Sequence, residues 1–80
     1  MKKIIYKSKY YTDIWNKIAL VNKLSHAVKA DIITENDTIK VIDKDRVISI
    51  LCKNGTILIN EEYKHTDVED AADCIKYLLE

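Results

Sequence analysis

The feature that most constrains the fold is the central stretch from Ala30 to Asn60, where short apolar runs alternate with polar turns. Residues 31–35 and 38–42 are typical of two short strands, and in the second Ile39 and Val41 alternate with Lys40 and Ile42. Asn36-Asp37 lies between the two runs and consists of residue types that tolerate a tight turn. The stretch therefore predicts antiparallel pairing of neighbouring strands.

The segments around this hairpin complete a predicted order of strand, helix, strand, strand, short helix, strand, helix. The alternation in Lys2–Ser8 predicts a first strand, and Thr56–Ile59, after the turn signal Asn54-Gly55, predicts a fourth. The compact run Arg46–Leu51 is interpreted as a short helix capped by Asp43 or Asp45. Thr66-Asp67-Val68-Glu69 has the pattern of a capping box and predicts the start of the last helix.

The first helix is predicted from about Asp13 to Val28, with Thr12 or Asp13 as its cap. At 100° per residue, one broad apolar stripe is expected to be buried, and it comprises Ile14, Ile18, Leu20, Val21, Leu24, Ala27 and Val28. Trp15 falls outside this stripe, on the polar side of the first turn.

Length and composition predict one small globular domain covering residues 1–80. Hydrophobic residues make up 48% and charged residues 32%, a mix that excludes a disordered chain. No apolar run approaches the ~18 residues of a membrane span, and the basic start lacks the apolar region of a signal peptide, so a cytoplasmic protein is expected. Cys52 and Cys74 lack the spacing of metal ligands and are expected to be small core residues.

The net charge of zero is unevenly distributed along the chain. Residues 1–30 contain seven lysines and one acidic residue, Asp13, whereas residues 31–80 contain six basic and twelve acidic residues. The basic segment could steer an acidic partner, or it could simply form a solvated face.

The order of elements and several short motifs resemble the HPr family, the histidine-containing phosphocarrier proteins of the bacterial sugar phosphotransferase system. The residues that carry the likeness are Ala30-Asp31-Ile32, Val41-Ile42-Asp43-Lys44-Asp45, Ser49-Ile50-Leu51, the strand from Gly55 to Ile59, and Asp70-Ala71-Ala72. The resemblance implies an α+β open-faced sandwich of order βαββαβα, with four antiparallel strands and three helices on one face.

Two positions depart from the family's pattern. Counting back from Asp31 places Ile14 where the family has its phosphorylated histidine, and isoleucine has no atom that can accept a phosphoryl group. Asp45 stands where many members have a regulatory serine at the start of the short helix. Its carboxylate could mimic a phosphoserine or simply cap the helix.

The resemblance implies that the surface around the start of helix 1 and the short helix meets partners. The expected partner-binding residues are Trp15, Lys17, Val47, Ile50 and Leu51. Trp15 is either an exposed binding residue or packs over the sheet edge or strand 1. No sequence pattern for a cofactor, a metal site or a catalytic set is present.

The predicted function is therefore a non-enzymatic, HPr-like regulatory protein that binds a phosphotransferase-system component or a transcriptional regulator. One alternative is a divergent phosphocarrier that accepts phosphate on His65 or His26, although both histidines could be ordinary surface residues. A further alternative is a homodimeric structural module. Neither nucleic acid nor membrane is expected as a partner, because the chain lacks a binding signature for either.

Overall fold

The computed structural model describes the chain from Lys9 to Glu80, with side chains from Thr12 onward. The elements in chain order are α1 (Lys9–Ala27), β1 (Asp31–Glu35), β2 (Thr38–Asp43), β3 (Arg46–Lys53), β4 (Thr56–Ile59), β5 (Tyr63–His65) and α2 (Val68–Leu79). The strands form one antiparallel sheet in the order β1-β2-β3-β4-β5. The predicted strand Lys2–Ser8 lies outside the described residues.

The architecture is α+β, with five strands and two helices in the described part of the chain. The predicted HPr-like arrangement, βαββαβα with four strands and three helices, is wrong. Its central error is the segment Arg46–Leu51, which is not a helix but belongs to β3, the longest strand and the middle of the sheet.

The buried residues of β3 occur at every second position, and most of its apolar residues are β-branched, as is typical of a strand. Ile48, Ile50 and Cys52 are buried on one face, whereas Val47 and Leu51 point to the other. A period of two buries one face of a strand, and β-branched side chains fit a pleated surface better than a helix. The short apolar run was compatible with either structure, and pairing with β2 and β4 decided it.

Tight turns containing left-handed residues join the five strands. Asn36 lies in the first turn, Lys44 in the second, Asn54-Gly55 in the third and Asn60-Glu61 in the fourth, and all six residues have positive φ. A left-handed backbone matches the twist of two-residue hairpins, and asparagine and glycine adopt it at the lowest cost. Asp45 therefore lies in the turn between β2 and β3, and the predicted cap of a short helix at Asp43 or Asp45 is wrong.

Both helices differ from the predicted boundaries. α1 begins at Lys9, one turn before the expected cap at Thr12 or Asp13. α2 has Asp67 as its N-cap instead of Thr66, with an extended backbone and a carboxylate that accepts the N–H of Asp70 at 3.3 Å. The strand β5, absent from the prediction, occupies residues 63–65 and ends two residues before this cap.

The core lies between one face of the sheet, here called the inner face, and the two helices. The helices contribute Leu20 and Leu24 from α1 and Ala71, Ala72 and Ile75 from α2. The inner face contributes Ile39, Val41, Ile48, Ile50, Cys52, Ile57 and Ile59. Burial of each large aliphatic side chain contributes about 1.5–3 kcal/mol, and the two alanines let α2 approach the sheet closely.

The helices cover the sheet unevenly, and this decides what stays accessible. α1 packs on β3 and β2, and α2 packs on β4 and β5. On the inner face of β1, Ile32 is therefore half-buried and Thr34 is exposed. β1 also has a partner strand on one side only within the described residues, so it presents an open edge beside α1.

Candidate protein-interaction surface

From Thr12 onward, the first turns of α1 are attached to the sheet through the turns that join its strands. The Asp13 carboxylate accepts the backbone N–H of Asn54 at 2.8 Å and that of Gly55 at 2.7 Å. One turn later, the Lys17 ammonium donates to the backbone carbonyl of Asn36. These contacts fix the rotation of α1, because both residues must face the turns at one end of the sheet.

That rotation exposes the side of the helix that the sequence predicts to be buried. Ile14 is 36% exposed, Trp15 65% and Ile18 51%. The predicted buried stripe is correct for Leu20 and Leu24, which are fully buried, but wrong for Ile14, Ile18 and Ala27. We call Ile14, Trp15 and Ile18 the α1 surface.

Over the part of α1 whose side chains are described, the exposed side lacks formal charge. From Thr12 onward, its exposed residues are Thr12, Ile14, Trp15, Ile18, Ala19, Asn22, Ser25, His26 and Ala27. The charged residues Asp13, Lys17 and Lys23 are instead half-buried and directed to the turns or to α2, where Lys23 pairs with Glu69 at 3.1 Å. A solvent-facing helix side normally carries charged residues, so this distribution is the reverse of the usual one.

A shallow groove connects the α1 surface with the open edge of β1. We call it the β1 groove, and its lining residues are Lys17, Ile18, Val21, Asn22, Ser25 and Thr34. Ile18 belongs to both features. The groove therefore extends the exposed apolar area from the helix to the inner face of β1.

A second apolar area lies on the sheet face opposite the helices, here called the outer face. Its apolar residues are Ile33, Ile42, Val47, Leu51 and Leu58, and the first and third of these are 46% and 56% exposed. The register pairs Ile42 with Val47 and Leu51 with Leu58. Lys40 and Ser49 lie between these pairs, so the apolar residues form two separate patches.

The structure divides the five predicted partner-binding residues among three locations. Trp15 is exposed on α1, and Lys17 donates a hydrogen bond to the backbone carbonyl of Asn36 in the β1–β2 turn. Val47 and Leu51 lie on the outer face, on the other side of the sheet from α1. Ile50 is fully buried in the core, so its predicted role in partner binding is wrong.

The two histidines lie in different settings. His26 is exposed near the end of α1, and its Nδ1 donates to the carbonyl of Asn22 at 2.8 Å. His65 is half-buried in β5, opposite Ile57 and two residues before the cap of α2. Within residues 9–80, no three His, Cys, Asp or Glu side chains are close enough to hold a metal ion together.

Both cysteines are free thiols. Cys52 is buried in the core, and burial together with the nearby Asp13 and Asp37 carboxylates raises its pKa to about 11, although Lys17 opposes the shift. Burial also raises the pKa of Cys74. A thiol with a raised pKa remains protonated at neutral pH and is a poor nucleophile, so Cys52 acts as a core residue.

Comparison with known proteins gives no family assignment. No protein-family model, curated protein or solved structure matches the chain. Neither of the described helices is long and apolar enough to cross a membrane.

The sequence predicted Trp15 to lie outside the buried stripe but missed Ile14 and Ile18 as parts of the α1 surface. Asp13 and Lys17 lie four residues apart, on the same side of the helix as Leu20 and Leu24. Charged residues ordinarily favour the solvent-facing side of a helix, so the periodicity of α1 contains no signal that these two face the sheet.

Proposed function

We propose that this protein is a non-enzymatic interaction module that binds the apolar surface of a partner protein through the α1 surface. The observation that carries the proposal is the reversed distribution of residues on α1, with apolar residues outside and charges turned toward the sheet end. The predicted link to the phosphotransferase system depended on the HPr-like order of elements, which the structure contradicts. The partner is therefore described by its chemistry alone.

Leaving this surface in water is unfavourable. Exposed apolar side chains each forgo up to about 1.5–3 kcal/mol of transfer free energy, and Trp15 has the largest apolar area among them. Tryptophan is also enriched at the energetic centres of protein interfaces. Ile14 and Ile18 flank Trp15 on successive turns, so the three side chains form one continuous patch.

The contacts of α1 with the turns make this patch rigid before binding. Asp13 and Lys17 contact two different turns, β3–β4 and β1–β2, and Lys23 joins α1 to α2 through Glu69. A helix held at three points loses little conformational entropy when a partner binds. The partner surface that fits it is an apolar groove or an uncharged helix side, because the exposed side of α1 from Thr12 to Ala27 offers no formal charge for ion pairing.

Two exposed aromatic residues on different helices allow a matched test. Trp15 is 65% exposed on α1, and Tyr77 is 75% exposed on α2. The chain, Trp15→Ala and Tyr77→Ala are immobilised separately and incubated with extract from the native host, and retained proteins are quantified by mass spectrometry. A partner retained by the chain and by Tyr77→Ala, but lost with Trp15→Ala, is the expected result.

The captured partner is then purified and titrated against the free chain while the emission of Trp15, the single tryptophan, is recorded. Transfer of the indole from water into an apolar interface shifts its emission to shorter wavelengths. Equal retention by both variants, or binding without an emission shift, would contradict the proposal. An Ile18→Asp variant, which places a charge in the patch, is expected to bind at least tenfold more weakly.

A further inference from the structure

We propose that the outer face of the sheet binds the outer face of a second copy of this chain, with a two-fold axis that runs parallel to the strands along β3. The homodimer is a sandwich of two sheets, and the helices of both copies lie on its outside. The proposal does not depend on the α1 surface and goes beyond the proposed partner binding. It is based on the arrangement of apolar and charged side chains across the outer face.

The outer face is the side of the sheet that the described helices leave uncovered. α1 and α2 both pack on the inner face, where all buried core residues of the strands lie. On the outer face, Val47 is 56% exposed and Ile33 is 46% exposed, although both are apolar. A sheet with apolar residues on both faces is most stable when a second layer covers each face.

The register arranges the outer-face residues in rows that run across the strands. One row contains, from β1 to β5, Glu35, Thr38, Leu51, Leu58 and Lys64. It has an acidic residue at one edge of the sheet, a lysine at the opposite edge, and uncharged residues between them. The row is therefore complementary in charge to its own reverse.

A two-fold axis along β3 places each row opposite the reversed row of the second copy. Glu35 then faces Lys64 of the second copy, and the symmetry forms this contact twice. Between these contacts, Leu51 faces Leu51 of the second copy and Thr38 faces Leu58. Because complementary charges across an interface fix its orientation, the two edge pairs select this arrangement.

The outward-facing residues of β3 lie on the axis, and each faces its own counterpart. Val47 gains an apolar neighbour, and the small Ser49 lets the sheets approach to about 10 Å. Aligned sheets cross at about 30°, which displaces contacts near the centre only slightly. Lys53 also meets its counterpart, but it is exposed at the end of β3, where its long side chain extends into water.

The other two-fold stacking of the outer faces, with the axis across the strands, is unfavourable. It places Asp31 opposite Glu35 twice and Lys40 opposite its own counterpart near the centre. Like charges that face each other are destabilising, and a central lysine pair would also lose its hydration. With the axis along β3, Lys40 instead faces the uncharged Asn60, which lies beside β3 in the β4–β5 turn. The charges therefore discriminate between the two orientations.

The outer face is large enough for a specific interface only if the two copies overlap completely. Five strands about 4.8 Å apart, with about five residues of about 3.3 Å each, give a face of roughly 24 by 17 Å, or about 400 Å² in projection. The accessible area of a face covered by side chains exceeds its projection, which brings it to the lower end for specific interfaces, about 600 Å² per copy. A shifted stacking that uncovers an edge strand falls below this size.

Charge reversal at the two edges tests the pairing with an internal rescue. Glu35→Lys and Lys64→Glu each place like charges together at both contacts, whereas the combined variant restores an opposite pair at each contact. Asp31→Lys is the matched control, because it makes the same change of charge on the same strand. Strand β4 ends at Ile59, so no described strand residue of the second copy faces Asp31.

The full-length chain is expected to have about twice its 9.3 kDa mass in size-exclusion chromatography with light scattering. Sedimentation equilibrium at low ionic strength, where charge contacts are least screened, gives the dissociation constant. Each single reversal is expected to raise this constant about tenfold or more, because two contacts change from favourable to unfavourable. The combined variant and Asp31→Lys are expected to dimerise like the parent chain.

Far-ultraviolet circular dichroism confirms that each variant is folded. A monomeric parent chain or a single reversal that dimerises as tightly as the parent would overturn the proposal. So would a combined variant that remains as weak as the single reversals, or an Asp31→Lys variant that weakens the dimer as much as Glu35→Lys does.

Failure of this proposal is distinguishable from failure of the proposed function. The helices lie outside the sandwich, so the α1 surface stays accessible in the dimer, and Trp15→Ala is expected to dimerise like the parent chain. The charge-reversed variants keep Ile14, Trp15 and Ile18. Loss of the dimer in Trp15→Ala would assign dimerisation to the α1 surface and contradict the pairing of outer faces.

Discussion

Replacement of Asp13 by alanine tests whether α1 is oriented by its contact with the β3–β4 turn. Its carboxylate accepts two backbone N–H groups, one at the exposed Asn54 and one at the half-buried Gly55. Hydrogen bonds to charged groups contribute about 1.5–3 kcal/mol, with exposed ones near or below the lower end. Alanine is the better helix former by about 0.6 kcal/mol, so the expected net loss of stability is about 2 kcal/mol.

The assay is urea unfolding followed by far-ultraviolet circular dichroism, with the free energy of unfolding extrapolated to water. Asp73→Ala in α2 is the matched control, since that aspartate is exposed and makes only a surface ion pair with Lys76 at 3.6 Å. The control is expected to change stability by no more than about 0.5 kcal/mol. Asp13→Asn retains one acceptor oxygen and should fall between the parent and Asp13→Ala. A loss below about 0.5 kcal/mol for Asp13→Ala would refute the assignment of α1's orientation to this contact.

Two further predictions test the register of β3 and the environment of its buried thiol. Ile50→Asp places a charge in the core and should leave the chain unfolded. Val47→Asp, on the outer face, should lower the free energy of unfolding measured in urea by about 1 kcal/mol or less. Equal effects of the two variants would contradict the strand and favour a helix over these residues. Because folding raises the pKa of Cys52 from 9.0 to about 11, its contribution to stability is complete below pH 9 and is lost as the pH rises toward 11. Comparison of the parent with Cys52→Ala across this range isolates that loss, and a parallel pH dependence in both would exclude it.

The sequence predicted well those features that depend on residues close together in the chain. The hairpin from Asp31 to Ile42 has the expected strands and turn, and the helix pattern after Asp67 is present to within two residues. Asn54-Gly55 does form a tight turn with both residues left-handed. In each case, local backbone preferences and the tertiary structure favour the same conformation.

The errors arose where a local pattern was compatible with two structures. The apolar run around Ile48 suits a short helix or a strand, and only hydrogen bonding to both neighbouring strands distinguishes them. The mistaken short helix also supported the HPr-like order of elements. That order was the basis for comparing Ile14 with the family's phosphorylated histidine and Asp45 with its regulatory serine. Both residues keep their spacing from Asp31, but the order of helices and strands in the structure is not the one that made this spacing comparable.

Short-range features can be predicted from the sequence alone: an antiparallel hairpin, a tight turn at Asn54-Gly55, a C-terminal helix and a buried aliphatic core. These follow from backbone preferences and hydrophobic periods that operate over a few residues. The side of α1 that faces solvent depends instead on contacts between distant parts of the chain. The two hydrogen bonds of Asp13 connect residues 41 and 42 positions apart, and no local period records such a contact. Through that contact the helix exposes Trp15 with Ile14 and Ile18, the surface to which the proposed function is assigned.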